Sequence, residues 1–594
     1  MKPQNKATDT QLREDLAAGF AHHSAGRLHE AAICYKNVLA KDPGNAEALH
    51  LFGVLSLQQG NASAAVDLIG KAVARDDRAD WHNNFGEALR AVGRYEDASE
   101  SYNRAIALDP SNADAYSNLG AALEALGRLA DAEQGYARAI AIDAGHAEAR
   151  TNLGNFLLTR HRIEDAIGHF RRAIASAPHL VAAHCGLGNA LRRQGNHAAA
   201  ETAYRRALSV DPNDALSWSN LGIALNAQGR TPEALAAYER ALAIDPNLAE
   251  AYVNIGTAHY EGGDMEKAWA ATERALAINP ELARAHVNKG LIHLVQGDYA
   301  RGWKEFQWRL RLPESRVGDF SAPLWDGGDL AGKTILLRAE QGIGDNIMML
   351  RYVPLLAARG ARVVLDMPRT VRAVIGGLEG VTHVVADGEP LPPFDCHLPL
   401  MGLPGAFGTT LDTVPANIPY LSADEGKIER WRERIGEHGF RVGIVWQGSK
   451  SYGADRMRSI PLRHFLPLAE IPNVRLISLQ QKIGLDQLAA LPGAKIETFD
   501  GVDAEPFADT PAILMSLDLV VTADSSIGHL AGALGRPVWV ALAHMPDWRW
   551  QLARTDSPWY PETRLFRQGT AGDWPGVFSQ IAAALPAMQA RLKG

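Results

Sequence analysis

The chain has 594 residues, with 60 lysines and arginines against 68 aspartates and glutamates, for a net charge of −8. That length exceeds what one hydrophobic core serves, so several domains are expected, and the acidic balance argues against a nucleic-acid binder, which needs a concentrated positive face. Three cysteines, Cys34, Cys185 and Cys396, are too scattered for a disulfide framework or a metal cluster. The first residues, MKPQNKATDTQLREDL, lack the apolar segment of a signal peptide, and no window reaches the roughly 18 apolar residues of a membrane span. A soluble, cytoplasmic protein is the expectation.

The first half repeats itself. Asp42-Pro43, Asp109-Pro110, Asp211-Pro212, Asp245-Pro246 and Asn279-Pro280 punctuate it, the last three steps falling 34 residues apart. Each unit carries a glycine in its first helix (Gly53, Gly86, Gly120, Gly154, Gly188, Gly222, Gly256, Gly290) and most carry another at the turn. An alanine four residues before an aromatic marks the second helix, as in Ala98/Tyr102 and Ala132/Tyr136. Period, glycines and aromatic together resemble the tetratricopeptide repeat, about nine copies over residues 9–313. Such helix pairs stack into a superhelix with a concave face.

Two residues before the first-helix glycine stands a row of asparagines: Asn84, Asn118, Asn152, Asn220, Asn254 and Asn288, interrupted by Leu51 and Gly186. One reading is that they bridge neighbouring helices. The other is a ladder that holds an extended peptide by its backbone, since an amide side chain both donates and accepts. Here the array resembles the repeat half of the O-linked N-acetylglucosamine transferases, in which such a ladder grips protein acceptors. The last unit keeps Phe306 and gains Trp303 and Trp308, which suit a cap against the next domain; 314–332 reads as a linker.

The second half reads as two α/β lobes. In the first, 333–425, a strand over 333–338 leads into the turn Glu340-Gln341-Gly342-Ile343-Gly344-Asp345 and a helix over 346–358, followed by strands over 362–366 and 381–385. A charged linking helix is expected over 426–440. The second lobe, 441–594, opens with a strand over 441–446 and has further strands over 474–479, 519–521 and from 538. Arg456 and Arg458 precede what reads as a helix. The polar turn 522–526 carries Asp524, Ser525 and Ser526 at a strand's carboxyl end, where open α/β sheets bind ligands. A short helix with His529 follows. Free N–H groups at its start favour phosphate, although plain N-capping by the serines explains the same residues. Two such lobes in tandem have the GT-B architecture of nucleotide-sugar glycosyltransferases.

Four ordered motifs sharpen this: EQGIGD at 340–345, DRMRSIPL at 455–462, ADSSIGHLAGALGRPVWV at 523–540, and DWRW…DSPWYP…RLFRQ ending at Gln568. Together they resemble bacterial tetratricopeptide-repeat glycosyltransferases whose catalytic half is similar to glycosyltransferase family nine, the heptosyltransferase-like group. The overall organisation is similar to that of flagellin-modifying enzymes, which implies flagellin as acceptor and a nonulosonic acid such as pseudaminic acid, carried as a CMP-linked donor. Relatives have threonine where this chain has Ser525, and often asparagine where it has Ala454.

The resemblance implies Asp345 as general base, with Glu340 in reserve; capping of the following helix is the competing reading for Asp345. Gly342, Gly344, Arg456, Arg458, Asp524, Ser525, Ser526 and His529 are the expected donor contacts, Lys450 a weaker one. Arginine suits the charge of a leaving nucleotide. Trp548, Trp550, Trp559 and Tyr560 are expected to pack a C-terminal crossover. No cofactor or metal is expected, because His, Cys and Asp do not fall at ligand spacings. Two alternatives remain open at this point: transfer to a lipopolysaccharide or capsule precursor, and a repeat scaffold with a degenerate transferase half.

Overall fold

The computed structural model describes residues 3–593 apart from 314, 316, 317, 319, 387, 450–454 and 503–506, so Lys450 and Ala454 lie outside the described residues. The chain divides into two compact units, Met1–Asp245 and Pro246–Gly594.

The first unit is helical from Pro3–Ser24 to Thr231–Ile244, with antiparallel helix pairs repeating. Caps fall where the sequence supplies short acceptors: Asn112 Oδ1 accepts from the Ala115 N–H at 2.9 Å, and Asn45 Oδ1 from Ala48 at 3.0 Å. The first-helix glycines make room for the second-helix ring. A Cβ on Gly86 would lie 2.5 Å from Tyr102 Cε1, and one on Gly154 2.7 Å from Phe170 Cε1. The Phe170 ring also explains the break in the asparagine row, because a Cβ on Gly186 would lie 2.6 Å from its Cζ.

The turn between paired helices requires a left-handed residue, and glycine fills it at φ +73 to +88° in eight turns. His161 occupies the same slot at φ +61°. A side chain in that conformation is strained where glycine is not, so His161→Gly is expected to stabilise this turn by about 0.5–1 kcal/mol. Native-state hydrogen exchange in the flanking helices Ala147–Thr159 and Ile163–Ser176 should slow by about two- to fivefold; unchanged or faster exchange would count against it.

The second unit opens with four more repeat helices, Ala249–Glu261, Met265–Ile278, Ala283–Val295 and Tyr299–Phe306. Two parallel sheets follow. The first lobe contains β1 (Thr334–Arg338), β2 (Arg362–Met367), β3 (Val381–Ala386) and β4 (Cys396–Pro399), in the order β3-β2-β1-β4. The second contains β5 (Phe440–Val445), β6 (Val474–Ser478), β7 (Ile496–Glu497), β8 (Leu519–Ala523), β9 (Val538–Leu542) and β10 (Thr563–Arg567), in the order β10-β9-β8-β5-β6-β7. That is the doubly wound nucleotide-fold order, with its reversal between β5 and β8. The helix Glu425–Ile435 links the lobes.

Local differences from the sequence reading have physical causes. The expected helix over 346–358 begins at Ile343 and is broken by a tight turn at Leu350–Tyr352, ahead of Pro354. No helix opens after Arg458. Arg456 and Arg458 instead sit on one turn, Asp455–Arg458, and Pro461 and Pro467 hold the following stretch in short 3-10 turns.

One buried cluster runs from Tyr299, Trp303 and Phe306 through the first lobe to Trp548 and Trp559 of the second. The last repeat thus shares a core with both lobes. Arg351, 3 % exposed, pins this junction by donating to the carbonyls of Met348, Pro415 and Trp559.

Candidate functional site

The site forms where the reversal of the second sheet meets the first turn of the first lobe. Thr522 and Ala523 end β8 beside Val445 of β5. The chain then turns through Asp524 and Ser525 into the helix Ser526–Ala533. Ser525 is that helix's N-cap residue, yet its side chain makes no capping bond; its Oγ lies 2.8 Å from Thr522 Oγ1. The hydroxyl is spent on bracing the turn, and the helix offers its first N–H groups without a side-chain cap.

Opposite stands the turn after β1. Asp345 occupies the third position of the helix Ile343–Met349, and its Oδ2 accepts from the Gly342 N–H at 2.7 Å. Asp345 therefore closes the helix from inside its first turn, with Gly342 as the N-cap residue, rather than capping a helix that starts at Asn346. Asn346, 2 % exposed, fastens the same turn: Oδ1 accepts from the Glu340 N–H and Nδ2 donates to the Gly342 carbonyl. Gly344 lies close against the second lobe. A Cβ there would lie 2.6 Å from His529 Cδ2, so any side chain would push the helices Ile343–Met349 and Ser526–Ala533 apart.

The third wall is the segment Trp548–Gln551. Arg549, its side chain 8 % exposed, pairs across the cleft with Asp345 and, on its own lobe, with Asp547 at 2.5 Å. Its guanidinium carbon sits 4.6 Å from the centre of the Trp548 ring. Trp550, 2 % exposed, stacks on His529 with ring centres 5.4 Å apart and planes 18° from parallel. His529 Nδ1 and the Tyr560 hydroxyl are 3.1 Å apart. Among the described residues, Arg549 Nε is a buried donor with no hydrogen-bond partner, while the Trp550 indole N–H serves the Asp524 carboxyl.

Burial dominates the electrostatics. It pushes the His529 imidazole down to about 3, helped by the charges of Arg351 and Arg458, so that ring is neutral at physiological pH. Burial also raises the Asp524 carboxyl against the pull of Arg458. Burial raises the Asp547 carboxyl as well, to about 8, with the neighbouring Asp524 adding to it. The Arg549 guanidinium is lowered to about 10 by burial and still carries its charge at neutral pH.

Of the residues singled out from sequence, Gly342, Gly344, Asp345, Asp524, Ser525, Ser526 and His529 come together here. Arg458 Nε donates to Asp455 Oδ1 at 3.2 Å and acts on Asp524 and His529 through its charge. Arg456 is exposed on the same turn. Glu340, expected in reserve as a base, is turned to another purpose. Its two oxygens take a bidentate pair from Arg309 at 2.7 and 3.1 Å, and the Met401 N–H at 2.8 Å. It ties the end of the repeats to the loops after β1 and β4.

Sequence reasoning missed Arg549, Asp547 and Asn346. The DWRW motif was the available signal for the first two, but its tryptophans pointed to packing.

In the repeats, the asparagine row bridges adjacent units. Asn118 Nδ2 donates to Asn83 Oδ1 and Glu87 Oε1, Asn152 Nδ2 to Ser117 Oγ, and Asn288 Nδ2 to the Val253 carbonyl and Thr257 Oγ1; Asn84 Nδ2 lies 2.9 Å from His50 Nε2. Asn220 is half-buried and Asn254 buried on the same face of their helices. The bridging reading holds at these four positions, and it uses the NH2 side of each amide.

Residues 86–127 match a family model described as TPR repeat, and residues 22–83, 145–213, 185–249 and 225–289 match models described as tetratricopeptide repeat. The first half is an array of tetratricopeptide repeats. Repeats of this kind bind proteins. The chain is 26% identical over 287 residues to Protein FlbA of Caulobacter vibrioides, a match covering 44% of this chain and 48% of that protein. It therefore spans about half the length of that curated relative. Among solved structures it is similar to YrrB, titled a TPR protein with an unusual peptide-binding site (25% identical, 32% of this chain and 100% of that one, TM-score 0.27). It is also similar to MamA (26%, 28% and 96%, TM-score 0.25) and to PilF of Pseudomonas aeruginosa (20%, 36% and 96%, TM-score 0.32). At such TM-scores these likenesses carry no argument about this chain. Among the described residues, no helix is long and apolar enough to cross a membrane.

Proposed function

We propose that the chain is a cytoplasmic protein O-glycosyltransferase. The repeats recruit a protein acceptor, and the two-lobed half transfers a sugar from a nucleotide-activated donor to a Ser or Thr hydroxyl, without a metal and with inversion. The observation that carries this reading is the helix start at Ser526. It lies without a side-chain cap at the reversal of a nucleotide-fold sheet, in the cleft that holds the unpaired buried Nε of Arg549 and the carboxylate of Asp345. Donor phosphate at that helix start would have N–H groups and the positive dipole end on one side, with Arg458 nearby. Asp345 is the base of this reading. The sequence resemblance adds flagellin as acceptor and a CMP-linked nonulosonic acid as donor.

The amide carbonyl oxygens of the asparagine row would accept from the backbone N–H groups of the acceptor, while the NH2 groups serve the fold. In cells, intact-mass measurement of flagellin with and without this chain tests the acceptor: a gain matching one or more nonulosonic acid residues is expected only with it, and an unchanged mass would remove flagellin. With purified components, Asp345→Ala is expected to slow transfer by about 10²–10⁴-fold. Wild-type protein that releases no nucleotide from any donor would overturn the enzymatic reading.

A further inference from the structure

The cleft contains an ion pair that a simple catalytic role for Asp345 does not account for. A general base must present a free oxygen to the hydroxyl it deprotonates. Both oxygens of Asp345 are engaged, one by the Gly342 N–H and the other by Arg549 on the opposite lobe. Arg549 is equally unusual. Its side chain is 8 % exposed, it touches two carboxylates, and its Nε has no partner among the described residues. The uncapped start of the helix Ser526–Ala533 belongs to the same cleft. A buried donor left unpaired costs free energy, and a site built around it awaits an acceptor.

We propose that Arg549 is the oxyanion receptor of the cleft, and that Asp345 occupies it as an internal competitor until an anionic group of the donor displaces it. The proposal rests on the glycosyltransferase reading and adds an order of events. The incoming phosphate or carboxylate takes the guanidinium, supported by the helix start. Asp345 is released only then. The freed carboxylate accepts the proton of the acceptor hydroxyl while that oxygen bonds to the anomeric carbon. The bond from that carbon to the phosphate oxygen breaks, and the nucleotide leaves with the electron pair, its charge met by Arg549. A base held in this way cannot activate an acceptor in an empty cleft. Gly344 is what lets the two lobes approach closely enough for the pair to form.

The test is calorimetric titration of the full chain with CMP, a phosphate probe, and with free N-acetylneuraminic acid, a carboxylate probe. Asp345→Asn removes the competing charge while keeping the shape. It is expected to bind at least one probe about tenfold or more tighter than wild type, and to transfer no sugar. Arg549→Lys should bind that probe more weakly than wild type, since an ammonium cannot reproduce the planar fork. A gain confined to CMP assigns the site to phosphate; a gain confined to the sugar acid assigns it to carboxylate. Unchanged or weaker binding of both probes by Asp345→Asn would overturn the proposal, even if Arg549→Lys failed to fold. Failure of the glycosyltransferase reading has a different signature: wild type would transfer nothing, while tighter anion binding by Asp345→Asn would persist.

Discussion

Glu340→Ala is expected to destabilise the Pro246–Gly594 unit by about 3–5 kcal/mol, because it leaves the charge of Arg309 buried without a counter-ion. Arg309 is 6 % and Glu340 12 % exposed at the side chain, and the pair is bidentate. The guanidinium otherwise donates to the Phe306 carbonyl at 3.2 Å and lies 4.8 Å from the centre of that residue's ring. Urea unfolding followed by tryptophan fluorescence reads the loss, since Trp303, Trp548 and Trp559 share the adjoining core. Replacing both partners with methionine removes the unpaired charge and should recover most of the stability. A Glu340→Ala protein that unfolds like wild type but transfers no sugar would restore the catalytic role expected of that residue from sequence.

Trp559→Ala is expected to cost a comparable 3–5 kcal/mol, roughly the price of emptying a fully buried indole site. The residue is 0 % exposed, its N–H donates to the Tyr299 hydroxyl at 3.0 Å, and its ring lies 5.8 Å from that of Trp548 in an edge arrangement. The Arg351 guanidinium sits 5.2 Å from the same ring. Trp559→Phe keeps an aromatic but loses the N–H and part of the volume, so a smaller loss is expected. A shift of less than about 1 kcal/mol for the alanine variant would mean that the junction between last repeat and second lobe is not held here.

The repeats were legible because each unit solves the same packing problem with the same residues, so period, glycine and aromatic coincide. The helix-to-helix turn at His161, left-handed without glycine, escaped because its conformation is imposed by neighbours rather than by its own type. Strands β1, β5, β8 and β9 announced themselves as short apolar runs. The sheet edges β4, β7 and β10 did not: Cys-His-Leu-Pro and Thr-Arg-Leu-Phe-Arg have little apolar continuity, and β7 has two residues.

In the site, the turn at Ser525 could be read from strand, polar stretch and helix in succession. The partner of Asp345 could not. Arg549 belongs to the other lobe, and an arginine between two tryptophans looks like packing until folding brings it to a carboxylate. Glu340 shows the converse. An acidic residue beside a Gly-rich turn suggests chemistry, and only its burial against Arg309 reveals a fastening.

That fastening, with the shared core of Tyr299, Trp303 and Phe306, has an evolutionary reading. Upstream of Pro246, each repeat touches chiefly its neighbours. Recombination there can add or delete whole repeats and so change the length of the repeat surface, without altering a residue of the α/β half. Downstream, the final repeats are no longer interchangeable modules. They have become inherited parts of the α/β unit, which can diverge only together with the tryptophans and ion pair that receive them.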